Sequence, residues 1–408
     1  MVSKKKFLIG IIIAILITSL GTLAVISVVP VKLGDKYSLT EEKYEELVYM
    51  NNKYYKMEEL SDHIQENYLR DIDEDKLYEW ALKGMFASLG DPYSSYMTKK
   101  EFKDFMEDTE GSFVGIGVRI TAGEDNLITV VAPIEDSPGE AAGIKTGDKI
   151  VKVDGKEFTA EQMDDAVSVM KGEPGTEVTV TILRKQENGD EKLIDFNIIR
   201  EEIRVKSVKS AIIDNNIGYI RIATFDRKTS QDFSNHLSKL QEKDIKGLIL
   251  DLRNNPGGLL DQCAEIADKL IGESTIVYTQ TKNKKREYIK SDKSKIDIPL
   301  TILINGGSAS ASEILAGAVK DTESGTLIGT KTFGKGIVQR ITPLMDGSGF
   351  KLTVSEYFTP SGKNIHGIGI APNIVIKLAE GVEKFGTDNI KKDNQLQKAI
   401  EVINEKTK

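Results

Sequence analysis

The chain has 408 residues, of which 39% are hydrophobic and 29% are charged, and its formal net charge is −8. This length predicts two or three domains, and the composition is that of a folded protein rather than a disordered one. The acidic balance excludes the basic footprint of a protein that binds nucleic acid. The single cysteine, Cys263, excludes a disulfide framework and a cysteine-rich zinc site. Its helical surroundings predict a small buried hydrophobe.

The N-terminus carries the features of a membrane anchor. A basic flank, residues 1–6, precedes an uncharged stretch over residues 7–31, whose 25 residues are enough to cross a bilayer as a helix. A signal-peptide core is usually shorter, and no A-x-A cleavage site follows this stretch. The basic flank favours the cytoplasm, so we expect a single-pass protein of the cell membrane whose chain after Lys32 is extracytoplasmic. A cleaved signal peptide is the alternative that the sequence leaves open.

Four regions with different periodicity follow the apolar stretch. Residues 35–104 show the apolar spacing of helices, interrupted by Gly90 and Pro92. Residues 105–203 predict a compact α+β unit of five or six strands and two helices. In residues 204–378, continuous apolar strands alternate with helices, which predicts a mostly parallel sheet of the α/β class. Residues 379–408 predict a helical tail.

The segment "LTILINGGSASASEILAGAVKD" predicts a buried strand, a glycine turn and a helix that begins around Ala311. Ser310 therefore stands at the carboxyl end of a strand, where ligands of such sheets bind. The first N–H groups of the helix have no partner within the helix, and they can receive an oxyanion. Ser310 and Glu313 also fit the S-x-x-E capping box. The local pattern alone leaves both the nucleophile and the cap open.

A lysine in "GTKTFGKGIVQ" could activate that serine. A phosphate-binding loop is excluded, because Gly336 stands where a Ser or Thr must hold magnesium. Burial would lower the pKa of the Lys335 amine and make it a base. Gln339 lies four residues further on, on the same face of an extended strand, and we expect its amide to orient the amine.

The turn in "LILDLRNNPGGLL" follows another buried strand and predicts a second source of backbone N–H donors. Gly257 or Gly258 is the candidate donor, opposite the N–H of Ala311, so the two turns together would form an oxyanion hole. Asp251 and Arg253 are expected to pair and brace this loop.

Together, "SASASE", "TFGKGIVQ" and "DLRNNPGG" resemble the carboxy-terminal processing (tail-specific) proteases, a family of serine peptidases. The resemblance implies a ClpP/crotonase-like α/β protease domain with an inserted PDZ domain. It assigns the nucleophile to Ser310, the base to Lys335 and the orienting amide to Gln339. The segment "LGDPYSSYM" differs from the family pattern at Gly90 and Tyr93, and we expect neither difference to affect catalysis.

The resemblance also places a peptide-binding site in the middle unit. In "FVGIGVRI" the loop amides would hold a C-terminal carboxylate, and the substrate tail would add to the strand edge by β-augmentation. The residues implied are Val114, Gly115, Ile116, Gly117 and Val118. Lys171 stands where the family often has arginine, which keeps the charge but loses the bidentate geometry.

The implied reaction is acyl transfer on protein or peptide substrates with apolar C-termini, and it needs neither a metal nor a cofactor. Two rival functions remain: a membrane-tethered PDZ module with an inactive protease domain, and a crotonase-like acyl-CoA enzyme. A second copy of the chain and a regulatory protein stay open as partners.

Overall fold

A computed structural model describes residues 3–28, 31–33, 36–186, 188–214, 216–382 and 385–408. Their contacts divide the chain into two compact units, Met1–Met85 and Phe86–Lys408. The elements of the first unit are α1 (Lys4–Val28), β1 (Val31–Leu33), β2 (Lys36–Ser38), α2 (Glu41–Asn67) and α3 (Glu74–Ala87), whose last turn enters the second unit.

Helix α1 follows the apolar stretch that the sequence predicts to cross a membrane. Its segment Lys4–Val25 is long and apolar enough to span a bilayer, although a signal sequence would pass the same test. Of the expected stretch 7–31, residues 29 and 30 lie outside the described residues, and Val31 begins β1. Within the described residues, helix α1 is therefore the candidate membrane span, and it ends before the predicted stretch does.

The second unit continues with β3 (Ser95–Met97) and α4 (Lys99–Glu110). Thr98 and Glu101 close a capping box at the start of α4, and Gly111 ends the helix in the left-handed region at φ 71°. The border that the sequence suggests between residues 104 and 105 therefore lies inside a continuous helix. The cause is local: "MEDTE" keeps a helical pattern, and the chain first meets a stop signal at Gly111.

The middle of the chain forms a β-rich layer with its own core. Its elements are β4 (Ser112–Gly115), β5 (Val118–Ala122), β6 (Ile128–Pro133), α5 (Pro138–Ala142), β7 (Lys149–Val153), β8 (Lys156–Glu157), α6 (Met163–Met170), β9 (Glu177–Lys185), β10 (Glu191–Ile199) and β11 (Glu201–Arg204). Five strands run in the order β10-β9-β7-β6-β5 with β8 beside β7, and β4 pairs separately with β11. Strand β5 is thus a sheet edge. The alternating apolar residues of these strands, among them Ile128, Val130 and Ile182, are fully buried.

The remainder alternates strands and helices as the sequence predicts. Its elements are β12 (Val208–Ile213), β13 (Ile217–Ile222), α7 (Thr229–Gln241), β14 (Gly247–Asp251), α8 (Leu260–Leu270), β15 (Thr275–Thr281), β16 (Arg286–Lys290), β17 (Leu300–Ile304), α9 (Ala311–Asp321), β18 (Thr326–Gly329), β19 (Ile337–Pro343), β20 (Gly349–Phe358), β21 (Ile374–Val375) and α10 (Asn394–Lys406). The central sheet has the order β12-β13-β14-β17-β18-β21. It is parallel from β13 onward, and only β12 is antiparallel.

A second sheet is antiparallel, and residues of its strands β19 and β20 line a cavity together with Gly257 and Gly258. It has the order β16-β15-β20-β19, and β3 pairs with the other end of β20. In the central sheet, β14 and β17 are neighbours with Asp251 opposite Leu303. The turns that follow these two strands therefore lie side by side, which confirms their expected location at one edge of the sheet.

A buried ion cluster fixes the turn after β14. Arg253, 1% exposed, donates to both carboxylate oxygens of Asp251 at 2.9 and 2.6 Å, which confirms the predicted pair. It also donates to both oxygens of Asp393 at 2.9 and 2.8 Å and to Gln395 at 3.0 Å. Helix α10, which Asp393 caps, packs Leu396, Ala399 and Ile403 against the central sheet. The C-terminal helix is therefore part of what holds this turn.

Candidate active site

Ser310 occupies a strained position between β17 and α9. Its φ of 53° and ψ of −115° lie in a region that residues with a Cβ rarely adopt. Such strain costs about 1–3 kcal/mol and persists only where the surroundings fix the backbone. The surroundings do so here, because the N–H groups of Glu313 and Ile314 donate to the Ser310 carbonyl oxygen at 2.8 and 3.0 Å. The Ser310 carbonyl therefore accepts the first N–H groups of the helix, in addition to the capping box that the Ser310 side chain forms.

The two neighbouring serines tie this loop to the turn after β14. The Ser308 hydroxyl donates to the carbonyl of Leu252 at 2.8 Å, and the Ser312 hydroxyl donates to that of Asn255 at 3.0 Å. Both serines are fully buried. The sequence assigned them to the turn and the helix start, and the structure adds that they join two loops.

The carboxylate of Glu313 links the serine loop to the lysine loop. It is fully buried and accepts hydrogen bonds from the N–H groups of Ser310 (2.9 Å), Gly334 (2.7 Å) and Lys335 (2.8 Å). It also accepts one from the hydroxyl of Thr332 at 2.5 Å. The capping box accounts for the first of these bonds only. Sequence reasoning therefore missed the main role of Glu313, which is to hold Ser310 and Lys335 in one place.

Tyr357 makes a second connection between the same loops. This side chain on β20 is buried, and its hydroxyl lies 3.0 Å from the carbonyl oxygen of Ser310 and within hydrogen-bond distance of that of Lys335. Ser310 and Lys335 consequently line one cavity of about 330 Å³, whose other walls include Leu260, Ile314 and Ile337. The cavity is mostly apolar, as expected for a site that binds an apolar segment of a peptide.

The candidate oxyanion donors differ in whether they are already bound. The N–H of Gly257 donates to the Asn255 side chain at 2.9 Å. Within the described residues, no acceptor binds the N–H of Gly258 or of Ala311. A Cβ on Gly257 would lie 2.8 Å from the Cβ of Ser310, so this turn approaches the serine closely. The geometry therefore favours Gly258 and Ala311 over Gly257 as a donor pair.

Lys335 is half-buried against an aromatic ring. Burial lowers the pKa of its amine from the ordinary value, the positive charge of Lys351 adds to this effect, and Asp91 opposes it. The Nζ atom lies 4.7 Å from the ring centroid of Tyr93. The difference from the family pattern at Tyr93 therefore lies beside the candidate base, and the expectation that it does not affect catalysis stays a prediction.

Strand pairing explains how Tyr93 reaches that position. Strand β3 pairs with β20, with Ser95 opposite Lys351. Next to it, the N–H of Thr353 donates to the Ser94 hydroxyl at 2.9 Å, which in turn donates to Asp91 at 2.6 Å. These contacts fix the segment around Tyr93 on the sheet that carries the cavity. A contact between residues so far apart in sequence has no local signal.

Gln339 lines the same cavity but does not meet the Lys335 amine. Its side-chain amide lies 3.4 Å from the Thr353 hydroxyl and 3.5 Å from the Ile337 carbonyl. The expected contact assumed a regular strand through Lys335, whereas β19 begins at Ile337 and its pairing shifts between Val338 and Gln339. This irregularity breaks the period-two argument.

The candidate peptide-binding residues occupy three different settings. Val114 and Gly115 lie on β4 and pair with Glu202 and Glu201. Ile116 and Gly117 connect β4 to β5, and within the described residues no acceptor binds their N–H groups. Val118 begins the edge strand β5, so the adjoining strand starts there and not at Ile116 as the sequence suggested. A free amide pair beside a sheet edge can hold a carboxylate and add a strand.

Lys171 contacts the acidic side chains of α4. It follows α6, and its amine lies 3.1 Å from Asp104 Oδ1 and 2.5 Å from Glu107 Oε2. Phe105 and Asp108, which directly follow these two acidic residues in α4, line the wall of the cavity. Lys171 therefore connects the end of the β-rich layer to the helix that borders the candidate active site.

Comparison with known proteins yields three family models and many relatives. The model of peptidase family S41 matches residues 216–376, that of the CtpB N-terminal domain matches residues 15–101, and a PDZ model matches residues 129–184. A carboxy-terminal-processing protease of Bartonella bacilliformis is 42% identical over 78% of this chain and 74% of its own length. The carboxy-terminal processing protease CtpA of Bacillus subtilis is 39% identical over 81% of this chain and 70% of its own length.

Among solved structures, a candidate S41 protease from Bacteroides fragilis has a TM-score of 0.52 and 17% sequence identity. The match covers 85% of this chain and 97% of that chain. At this identity the likeness concerns the fold alone.

Proposed function

The chain belongs to peptidase family S41 as a serine-type, carboxy-terminal processing protease with a PDZ domain, and we propose that it cleaves its substrates with a Ser310–Lys335 site. The observation that carries this proposal is the Glu313 carboxylate, which binds the backbone of both residues and leaves their side chains in one cavity. No histidine is needed, because burial of Lys335 favours the neutral amine.

The proposed mechanism starts with neutral Lys335, which takes the proton of the Ser310 hydroxyl as the oxygen attacks a peptide carbonyl. The negative charge that develops on the carbonyl oxygen is stabilised by the free N–H groups of Gly258 and Ala311. Gly257 shapes the turn, although its own N–H is bound to Asn255. The Lys335 ammonium then protonates the leaving amine, and water activated by the same lysine hydrolyses the acyl-enzyme.

We keep Gln339 as the orienting residue of the substrate-bound state. Its amide makes only long contacts of 3.4 and 3.5 Å in this structure, which are weak hydrogen bonds at best. Little free energy therefore holds it away from the amine. The role requires that the side chain turns towards Lys335 when a peptide fills the cavity.

The proposed route for substrate recognition is the PDZ domain. We assign this domain to residues 105–203, the protease core to residues 204–378 and a helical tail to residues 379–408. A substrate with an apolar C-terminus would place its carboxylate on the amides of Ile116 and Gly117 and extend along Val118. Through its contacts with Asp104 and Glu107, Lys171 would couple the binding of the tail to the position of α4.

We further propose that α1 anchors the protein in the cell membrane, with residues 1–6 in the cytoplasm and the protease outside. Lysines at positions 4–6 followed by an uncharged helix support this orientation. The match of residues 15–101 to the N-terminal domain of an activating protease supports a regulatory partner. A second copy of the chain is the other partner proposed, because no residue of α2 is buried.

The experiment that tests the site uses the full chain and an unstructured protein substrate with an apolar C-terminus. Ser310→Ala and Lys335→Arg should each abolish cleavage, since arginine stays charged and cannot act as a base. Binding of a fluorescent peptide that copies the tail should persist in both variants. Lys290→Arg, an exposed lysine on β16, is the matched control and should cleave like the parent.

Three outcomes would contradict this proposal. Cleavage that survives Ser310→Ala would show that another residue is the nucleophile. Parent protein that binds the tail but whose serine is never phosphonylated by a fluorophosphonate would support the inactive PDZ module. Turnover of an acyl-CoA thioester without serine labelling would instead support the crotonase-like rival.

A further inference from the structure

The active-site cavity contains a second lysine, Lys351, to which the sequence assigned no role. It lies on β20 opposite Ile341 of β19, and the next pair on the same face brings Thr353 opposite Gln339. Lys335, Gln339, Ile341 and Lys351 all line the cavity. Two lysines of one active-site cavity thus face a space whose walls are otherwise mostly apolar.

The charge of Lys351 has no local counter-ion. Within the described residues its amine makes no ion pair and no hydrogen bond, and its Nζ atom lies 5.8 Å from the ring centroid of Phe105. The positive charge of this ammonium group therefore acts on the other groups that line the cavity. The nearest titratable group that the reaction requires is the Lys335 amine.

The other charged and titratable groups around Lys335 do not cancel this effect. Glu313 of α9 is bound by four donors, three of them backbone N–H groups. Asp91 accepts from Ser94 and from the N–H of Tyr93. Asp108 of α4 lines the cavity without an ion pair to either lysine, and the hydroxyl of Tyr357 is directed to backbone carbonyls. Besides burial, the charge of Lys351 lowers the pKa of the Lys335 amine, and Asp91 raises it.

We propose that Lys351 is a positioning residue that keeps Lys335 in its neutral, base-competent form by charge repulsion across the cavity. A nearby cation disfavours protonation of an amine, and desolvation strengthens the effect because water no longer screens the two charges. If burial acted alone, Asp91 and the Tyr93 ring would still stabilise the ammonium form of Lys335. The inference rests on the proposed role of Lys335 as the base.

The test is the pH dependence of kcat/KM for full-length Lys351→Met and Lys351→Arg. The acid limb should move to higher pH by about one unit in Lys351→Met, with a roughly tenfold loss below the limb and recovery at higher pH. Lys351→Arg keeps the charge and should restore the parent limb. Lys351→Gln serves as a second neutral variant if the methionine variant folds poorly.

Arg340→Met is the matched control. Arg340 lies on the same pair of strands, pairs with Leu352 and is exposed on the opposite face. The substitution therefore removes a positive charge that is close to Lys351 but outside the cavity. Its limb should coincide with that of the parent. A loss in Lys351→Met that is equal at every pH, or a rise in KM with an unmoved limb, would overturn the proposal in favour of a structural or a substrate-binding role.

A second readout separates this inference from the proposed base. The pKa of Lys335 can be followed by NMR of its ¹⁵N-labelled side chain in inactive Ser310→Ala protein, with and without Lys351→Met. The inference expects the pKa to rise when Lys351 is removed, and an unchanged pKa would refute it. If Lys335→Met retained activity, the base assignment would fail, whereas the charge coupling would still be measured by this experiment.

Discussion

Ser210 and Ser310 each lie near a basic side chain, and they differ in almost every other respect. On the side of the central sheet, the Ser210 hydroxyl lies 2.6 Å from Nδ1 of His236, and Asp232 precedes that histidine by one helical turn on α7. Judged by side-chain identity alone, Ser210, His236 and Asp232 would be favoured as a Ser-His-Asp site. The carboxylate of Asp232, however, pairs with Arg204 rather than with the imidazole.

The backbone makes the difference between the two places. Ser210 stands in the middle of β12, paired with Ile220 in a regular ladder, and no helix begins beside it. Ser310 stands at a strand end with a positive φ, next to a helix N-terminus and a glycine turn, and within the described residues no acceptor binds the N–H of Ala311 or of Gly258. Stabilisation of the oxyanion is usually the largest single contribution to acyl transfer. The comparison therefore favours Ser310 as the nucleophile on the ground of its backbone donors rather than the identity of the base.

Labelling with a fluorophosphonate should separate the two serines completely. We expect stoichiometric modification of Ser310 and none of Ser210, because only the first has donors for the developing negative charge. Ser310→Ala should abolish labelling, and Ser210→Ala should leave its rate within about twofold. Mass spectrometry of the labelled peptides is the measurement. Modification of Ser210 at a comparable rate would break the comparison.

Glu313→Gln should give the next largest effect, a fall in kcat/KM of roughly a hundredfold, because a displacement of about 1 Å in an active site costs this much. The amide offers one acceptor oxygen where the carboxylate serves four donors, and unsatisfied buried donors cost about 1–3 kcal/mol each. Steady-state kinetics and denaturant unfolding are the measurements. Glu356→Gln, exposed on β20, is the control. Parent-like kinetics in Glu313→Gln would show that the two loops are held together by other contacts.

Much of the Ser310 region could be predicted from sequence, since its features are local. A buried strand, two glycines and a helix start are visible in "LTILINGGSASASE", and parallel strands bring their carboxyl ends to one edge. The neighbouring turn and its Asp251–Arg253 pair follow from the same reasoning. These elements are confirmed because each depends on a few consecutive residues and on one general property of parallel sheets.

The residues that surround Lys335 could not be predicted, because they arrive through pairing between distant segments. Tyr93 reaches the amine only because β3 adds to β20, and Asp393 reaches Arg253 from the last helix. Gln339 was placed by a period-two argument that a shift in strand pairing invalidates. Periodicity reports which face a residue occupies in a regular element, and it carries no information on irregularities or on long-range contacts.

Tyr93→Leu should lower kcat about tenfold, since it removes the ring on which the Lys335 amine rests. A cation–π contact is worth about 0.5–2 kcal/mol, and it favours the ammonium form. Its loss should therefore move the acid limb to lower pH, opposite to the shift expected for Lys351→Met. The pH profile of kcat/KM is the measurement, and Tyr93→Phe, which keeps the ring, is the control. A limb that moves upward in Tyr93→Leu would show that the ring acts by excluding water instead.

The smallest effect concerns His236 and stability. Burial lowers the pKa of His236 in the folded protein, with Asp232 opposing the change and Lys239 adding to it. The unfolded chain then binds more protons, so the stabilisation from this group is complete above the unfolded value of about 6.5 and is lost as the pH falls through the folded pKa. Thermal unfolding between pH 7.5 and 5 should depend less on pH in His236→Gln, with peptide cleavage at neutral pH unchanged. Loss of cleavage in this variant would mean that the Ser210 group contributes to the reaction, and the contrast between the two serines would no longer hold.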